Sequence, residues 1–187
     1  LVLRRQRQMC IRDSNIRSFK VYGDGALGSR GAVLKSPYCD DPHNYGILRT
    51  SAEDLKFYAK EIAEMGFQMN THAIGDSTVS VLLNEYKKIL KDIDDPRWRI
   101  EHSQVVDINE FELYNEKILP SIQPTHATSD MYWAYDRLGS RIKGAYAFKD
   151  LLNSSSRVAL GTDFPVEKVN PFHTCLLYTS DAADEER

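Results

Sequence analysis

Cysteine is scarce in this chain of 187 residues; it occurs three times, as Cys10, Cys39 and Cys175. Two of these fall in end segments that read as foreign to the fold (below). The remaining Cys39 cannot close an internal disulfide alone, so nothing asks for an oxidising compartment. A surplus of one charge sign is also missing: 24 Lys and Arg face 27 Asp and Glu, for a net charge of −3. Without a basic excess, nucleic acid and anionic lipid surfaces are not expected partners. No run of 18 apolar residues occurs, so no membrane-spanning helix is expected. Internal repeats and low-complexity stretches are absent as well; no signal peptide is visible in a sequence whose native N-terminus is missing, and the expected location is cytoplasmic.

The two ends stand apart. Residues 4–14 read RRQRQMCIRDS and residues 175–185 read CLLYTSDAADE. Both can be encoded by a single transposon-type sequencing adapter, read on opposite strands, because the two coding stretches are reverse complements over most of their length. Residues 1–14 and 175–187 are therefore expected to be adapter-derived and are set aside from fold reasoning, as a cloning scar would be. The part expected to be native is 15–174. Removing the ends takes away Arg4, Arg5, Arg7, Arg12 and Arg187 together with Asp13, Asp181, Asp184, Glu185 and Glu186, which leaves the net charge at −3.

What remains alternates short apolar runs with amphipathic stretches. Strands are expected over 16–22, 67–71, 98–101, 118–122 and 157–162, from β-type runs bounded by turn residues. A long Gly-, Pro-, Asp- and Asn-rich loop covers 26–49. The Thr50-Ser51-Ala52-Glu53 stretch has the pattern of a capping box. Leu55, Tyr58, Ile62 and Met65 follow at helical spacing, with Gly66 as the stop. A second helix opens at Asp76 or Ser77 and carries Val79, Leu82, Leu83, Tyr86 and Leu90 on one face, until Asp94-Asp95-Pro96 ends it. A short helix is expected over 108–114 and a mostly helical stretch over 138–152, with Gly144 inside. Strands separated by helices indicate βαβ units and a parallel sheet.

Three of the runs end abruptly in a group that can bind metal. The run at 67–71 ends in His72, that at 98–101 in His102, and that at 158–162 in Asp163. Polar residues where parallel strands end mark the C-terminal face of a β/α barrel, where such folds keep their sites. Two imidazoles and a carboxylate suit a divalent metal such as zinc. Taken singly, each residue has an ordinary structural role open to it, Asp163 as a helix cap or turn residue. Their shared position favours a site. Lys20 also sits near a strand end, where burial close to cations can deprotonate a lysine. The isolated His43 and His173 are given no role.

KVYGDGALGSRGAVL, THAIGD, WRIEHSQ, IQPTHATSD and GTDFPVE, in this order, closely resemble the amidohydrolase superfamily, in its amidohydrolase-3 branch, which includes N-substituted formamide deformylases. The resemblance covers nearly all of 15–174. It implies a fragment of a TIM-type (β/α)8 barrel, roughly strands four to eight with their helices. It implies a hydrolase that cleaves a non-peptide C–N bond, of amide or formamide type, in a small-molecule substrate. Lys20 is similar to a carbamylated lysine that bridges metals, and His72 and His102 to ligands of the second metal. Asp163 corresponds to a residue that is both metal ligand and general base. His126 and the loop around Arg30 would line the substrate pocket. The cofactor implied is one or two divalent ions, zinc by the donor types.

One element of the family pattern is missing. The H-x-H pair of the first barrel strand occurs nowhere in this sequence, and a whole barrel takes about 250 residues. A single piece of such a barrel would leave open sheet edges and an exposed inner face, and is expected to be inactive alone. Two other readings stay open at this stage: a different metal enzyme on the same barrel, such as an isomerase or deaminase, and a non-catalytic binding protein derived from it.

Overall fold

A computed structural model describes residues 16–179. The expected foreign segment 1–14 and most of 175–187 lie outside these residues. Five strands form one sheet: β1 (Ser18–Tyr22), β2 (Gln68–Ala73), β3 (Trp98–His102), β4 (Ile118–Ile122) and β5 (Ala159–Leu160). All are parallel, and each pairs with the next in sequence, in the order β1-β2-β3-β4-β5. The helices are α1 (Ala52–Glu64), α2 (Asp76–Ile89), α3 (Pro124–Asp130), α4 (Ala134–Leu138), α5 (Phe148–Ser155) and α6 (Pro171–Thr179). Short 3-10 turns lie at Phe111–Leu113 and Gly139–Gly144. The expected parallel α/β class is the observed one. No helix among the described residues is long and apolar enough to cross a membrane.

The core lies between the sheet and its helices. Met69 and Ala73 of β2, Trp98 and Ile100 of β3, and Ile118 and Ile122 of β4 face Leu55 and Ile62 of α1 and Val79, Leu82, Leu83 and Tyr86 of α2. Period two along the strands meets period 3.6 along the helices, so both apolar faces close on each other. The polar ends of the two large aromatics are satisfied: Trp98 Nε1 donates to the Phe67 carbonyl at 3.1 Å, and the Tyr86 hydroxyl lies 2.6 Å from Thr71 Oγ1. Their rings meet edge to face, with centroids 4.8 Å apart, a favoured aromatic geometry.

The structure departs from the sequence-based element boundaries at several points. The cap of α1 is Ser51, not Thr50: Ser51 Oγ accepts from Asp54 N at 3.1 Å, while Thr50 Oγ1 donates to the Tyr22 carbonyl at 2.7 Å. Gly66 does follow the helix, with φ +72°, the left-handed backbone a C′ glycine supplies. The expected helix over 108–114 is only a 3-10 turn, because Asp107 Oδ1 accepts from Asn109 N and starts a local turn instead. The expected helix over 138–152 is broken. Val106 N donates to the Gly144 carbonyl and Tyr146 N to the Gln104 carbonyl, so this segment pairs with the chain leaving β3. Gly144 is needed there, since a Cβ would stand 2.0 Å from the Val106 carbonyl oxygen. The strand expected over 157–162 is only two residues long. Helices α3, α4 and α6 had no counterpart in the sequence reading. Helix α6 runs across position 175, so residues 175–179 are helical; Leu176 is exposed and Tyr178 touches the edge of the core.

Candidate functional site

The register of the sheet sorts side chains by face. Tyr22 pairs with His72 and His72 with Glu101, while Lys20 pairs with Asn70 and Asn70 with Arg99. Paired residues in a parallel sheet point the same way, and alternate residues share a face. Lys20, Asn70, His72, Arg99 and Glu101 thus stand on the face away from the helices. His102, next after Glu101, would fall by alternation on the helix side with Ala73. Its backbone has φ +77°, which breaks the alternation. Its ring instead meets that of His72 edge-on, with centroids 4.5 Å apart. Asp163, beyond β5, also has a positive φ, of +53°. Such backbone costs of order 1–3 kcal/mol and gathers at functional sites.

His126 enters from the first turn of α3, which Pro124 opens at an early helical position, where its missing N–H costs nothing. Its ring is 5.9 Å from that of His102, and its Nε2 is 3.4 Å from Asp163 Oδ2. One donor atom each from His102, His126 and Asp163 lies within 4.8 Å of the others. His72 stands beside this trio but outside it: its Nε2 is 3.7 Å from Asp24 Oδ1. Asp24 is itself a buried hub, accepting from Val33 N, Ile74 N and Gly75 N at 2.9–3.0 Å.

The local electrostatics favour neutral imidazoles. Burial pushes the His102 pKa down to about 3, helped by His72, His126 and Lys20 nearby. Burial also lowers that of His72, with the Lys20 ammonium adding to the effect. Desolvation among its neighbours holds Lys20 below the usual lysine value, opposed by the carboxylates of Glu101 and then Asp163. A metal needs unprotonated imidazole nitrogen, and two such atoms, His72 Nε2 and His102 Nδ1, are buried with no hydrogen-bond partner. Orphaned nitrogens of this kind normally cost free energy and call for an explanation. Two imidazoles and a carboxylate fit a zinc-like cation.

The expected site residues are therefore placed as follows. His72, His102 and Asp163 come to the same end of the sheet, while Lys20 lies in the middle of β1, level with Asn70, on the same face and within electrostatic reach of His72 and Asp163. His126, expected to contact substrate, stands among the converging donors. Arg30 lies apart: its guanidinium forks onto Asp40 at 2.8 and 3.1 Å, within its own loop, and Arg137 pairs with the same carboxylate. Several residues around the site had no assigned role. Glu101, on the same face as Lys20, accepts from Arg99 Nε at 2.8 Å and was visible only as the neighbour of His102. Asp130 Oδ2 accepts from the Tyr146 hydroxyl at 2.6 Å and from Gln104 Nε2 at 3.1 Å. Gln104 and Asp130 belong to the quoted HSQ and TSD stretches, whereas nothing in the sequence pointed to Tyr146. Glu167 lies 3.5 Å from His126 Nδ1.

A parallel α/β sheet with a metal-capable histidine–carboxylate cluster at the C-terminal ends of its strands defines the class. The chain belongs to the amidohydrolase family, whose model it matches over residues 5–175. It is 36% identical over 156 residues to the putative amidohydrolase YtcJ of Bacillus subtilis (strain 168), covering 82% of this chain and 29% of that protein. It is 34% identical over 160 residues to the protein LONG AFTER FAR-RED 3 of Arabidopsis thaliana, covering 83% and 27%. Among solved structures it is similar to an uncharacterized metal-dependent hydrolase from Pyrococcus horikoshii OT3, with 32% identity, a TM-score of 0.75, and 87% of this chain against 32% of that one. The chain spans less than a third of the length of each of these relatives.

Proposed function

We propose that this chain is an internal piece of a metal-dependent amidohydrolase that cleaves a C–N bond, of amide or formamide type, in a small-molecule substrate. Its five strands are then the fourth to eighth of a (β/α)8 barrel. The observation that carries the reading is the convergence of His102, His126 and Asp163 donor atoms at the C-terminal ends of the strands. The singly wound, all-parallel strand order supports the barrel, because each strand of a (β/α)8 barrel pairs with its sequence neighbours.

His102, His126 and Asp163 would hold a divalent cation, zinc by donor type, with His72 beside them. Lys20, if carbamylated, would add two oxygen ligands and could bridge a second ion. A bound cation of this kind lowers the pKa of water toward ~7 and polarises a carbonyl. Asp163 would act as general base toward the attacking water and then as acid toward the leaving nitrogen. Burial of His72 and His102 favours their unprotonated form, the form that binds a metal. Residues 1–14 and 175–187 are, in this reading, translated adapter sequence.

The experiment is to recover the DNA flanking this gene segment, express the longer protein, and measure hydrolysis of amides and formamides with and without added zinc. The longer protein should turn over a member of this substrate class only with metal, and the present chain should turn over none. A longer protein without metal-dependent C–N hydrolysis, or one whose activity survives His102→Ala, overturns the assignment.

A further inference from the structure

The turn that carries Asp163 presents a second carboxylate to the same imidazole. Val166 N donates to the Asp163 carbonyl at 2.8 Å, and Glu167 N lies 3.5 Å from the same oxygen. This turn sets Asp163 and Glu167 on either side of the His126 ring. Asp163 Oδ2 is 3.4 Å from Nε2, and Glu167 Oε1 is 3.5 Å from Nδ1. Glu167 does not hang free. Ser129 Oγ, three residues after His126 on the same helix α3, donates to Glu167 Oε1 at 2.6 Å. The carboxylate is thereby tied to the element that carries the histidine. Side-chain exposures of 12% for His126 and 20% for Glu167 set this pair apart from the mobile surface ion pairs that contribute little.

We propose that Glu167 is the positioning residue of His126: it takes the Nδ1–H, and Ser129 holds it in place to do so, so that Nε2 is turned toward Asp163 and His102. A neutral imidazole has one donor and one acceptor nitrogen, and the partner of one decides which face the lone pair takes. A carboxylate behind a ligating histidine also fixes the ring's rotation and raises its basicity. The 3.5 Å separation is longer than the usual N–H···O distance of ~2.9 Å, so the proposed bond requires the ring and the carboxylate to approach each other. The metal part of this inference rests on the function proposed above; the orientation of the ring does not.

The test has two arms on this chain and its variants Glu167→Ala, Glu167→Gln and Ser129→Ala. In the first, Co2+ is titrated and its affinity and visible absorption are read. In the second, the ring nitrogens of 15N-labelled histidine are followed by NMR without metal, with His126 assigned from His126→Asn. Glu167→Ala should weaken Co2+ binding 10–100-fold, the usual cost of losing such a partner. It should also convert His126 from the Nδ1–H form toward the Nε2–H form, because Asp163 Oδ2, 3.4 Å from Nε2, is then the remaining carboxylate acceptor. Glu167→Gln should restore both, since its amide oxygen still accepts the N–H, and Ser129→Ala should show a smaller shift in the same direction. Unchanged affinity and an unchanged ring pattern in Glu167→Ala overturn the inference. So does a loss that Glu167→Gln does not rescue, because that loss reports charge and not orientation. Failure of the unsubstituted chain to take up Co2+ counts against the metal site itself, and the ring pattern then decides the role of Glu167. If Glu167→Ala does not fold, Ser129→Ala decides: unchanged Co2+ affinity with an unchanged ring pattern overturns the inference.

Discussion

The body of the molecule and the layer of loops over its strand ends are held by different forces. In the body, Met69, Ile100, Leu83, Tyr86 and Trp98 pack sheet against helix as one apolar cluster. In the loop layer, a smaller cluster around Leu27, Leu34, Tyr38 and Leu138 is fastened by charged side chains gripping backbone. Asp24 takes three N–H groups, from Val33, Ile74 and Gly75. Asp76 takes Lys35 N at 2.8 Å, and Arg141 donates to the carbonyls of Ser36 and Pro37, each at 2.6 Å. Apolar packing tolerates exchange of one hydrophobe for another of similar volume. A side chain that satisfies buried backbone groups has no such substitute, because its loss leaves those groups unpaired. The site sits where the second kind of layer meets the first, so its geometry depends on particular identities.

Substitutions on either side of this boundary should separate the two. The largest effect belongs to the site itself. In the longer protein, Asp163→Asn keeps size and shape but removes the base and weakens a metal-holding donor, and should lower hydrolysis ~10²–10⁴-fold while circular dichroism shows the fold intact; an unimpaired variant would remove Asp163 from the chemistry. Within the body, Leu83→Ala should cost ~2–5 kcal/mol in denaturant unfolding, because Leu83 is fully buried. The comparison fails if this loss is under 1 kcal/mol. In the loop layer, Asp24→Ala should cost roughly 1–3 kcal/mol for backbone donors left unsatisfied. Unlike the Leu83 variant, it should speed hydrogen exchange selectively at Val33, Ile74 and Gly75; exchange that rises uniformly would mean that Asp24 is not a local staple. Smallest is Ser51→Ala, expected to cost ~1 kcal/mol through the lost helix cap. Thr50→Ala, by contrast, should leave α1 helicity unchanged in circular dichroism, since Thr50 bonds the end of β1 and not the helix.

The same division decided what could be read in advance. Strands β2, β3 and β4 were legible to within a residue or two, because their apolar runs are bounded by turn residues and buried on a face that demands them. Helices α1 and α2 were legible from spacing and stop signals. The mostly helical stretch expected over 138–152 is interrupted at 145–147, because Val106 and Gln104, some forty residues away, bond Gly144 and Tyr146 and outweigh a helical propensity of a few tenths of a kcal/mol per residue. His72, His102 and Asp163 were legible as groups that terminate strands. That the donor atoms of His126 and not His72 converge with His102 and Asp163 was not, since it turns on ring orientation and on the backbone twist at His102.

By itself, the sequence determined a parallel α/β chain with histidines and a carboxylate at its strand ends, because periodicity and punctuation are local properties of a few neighbouring residues. The tertiary structure alone decided which of those groups face one another, which nitrogens are left without partners, and that Ser129, Glu167 and His126 form one connected unit. Those outcomes come from contacts between residues far apart in the chain, whose free energy exists only once the sheet has brought the strand ends together.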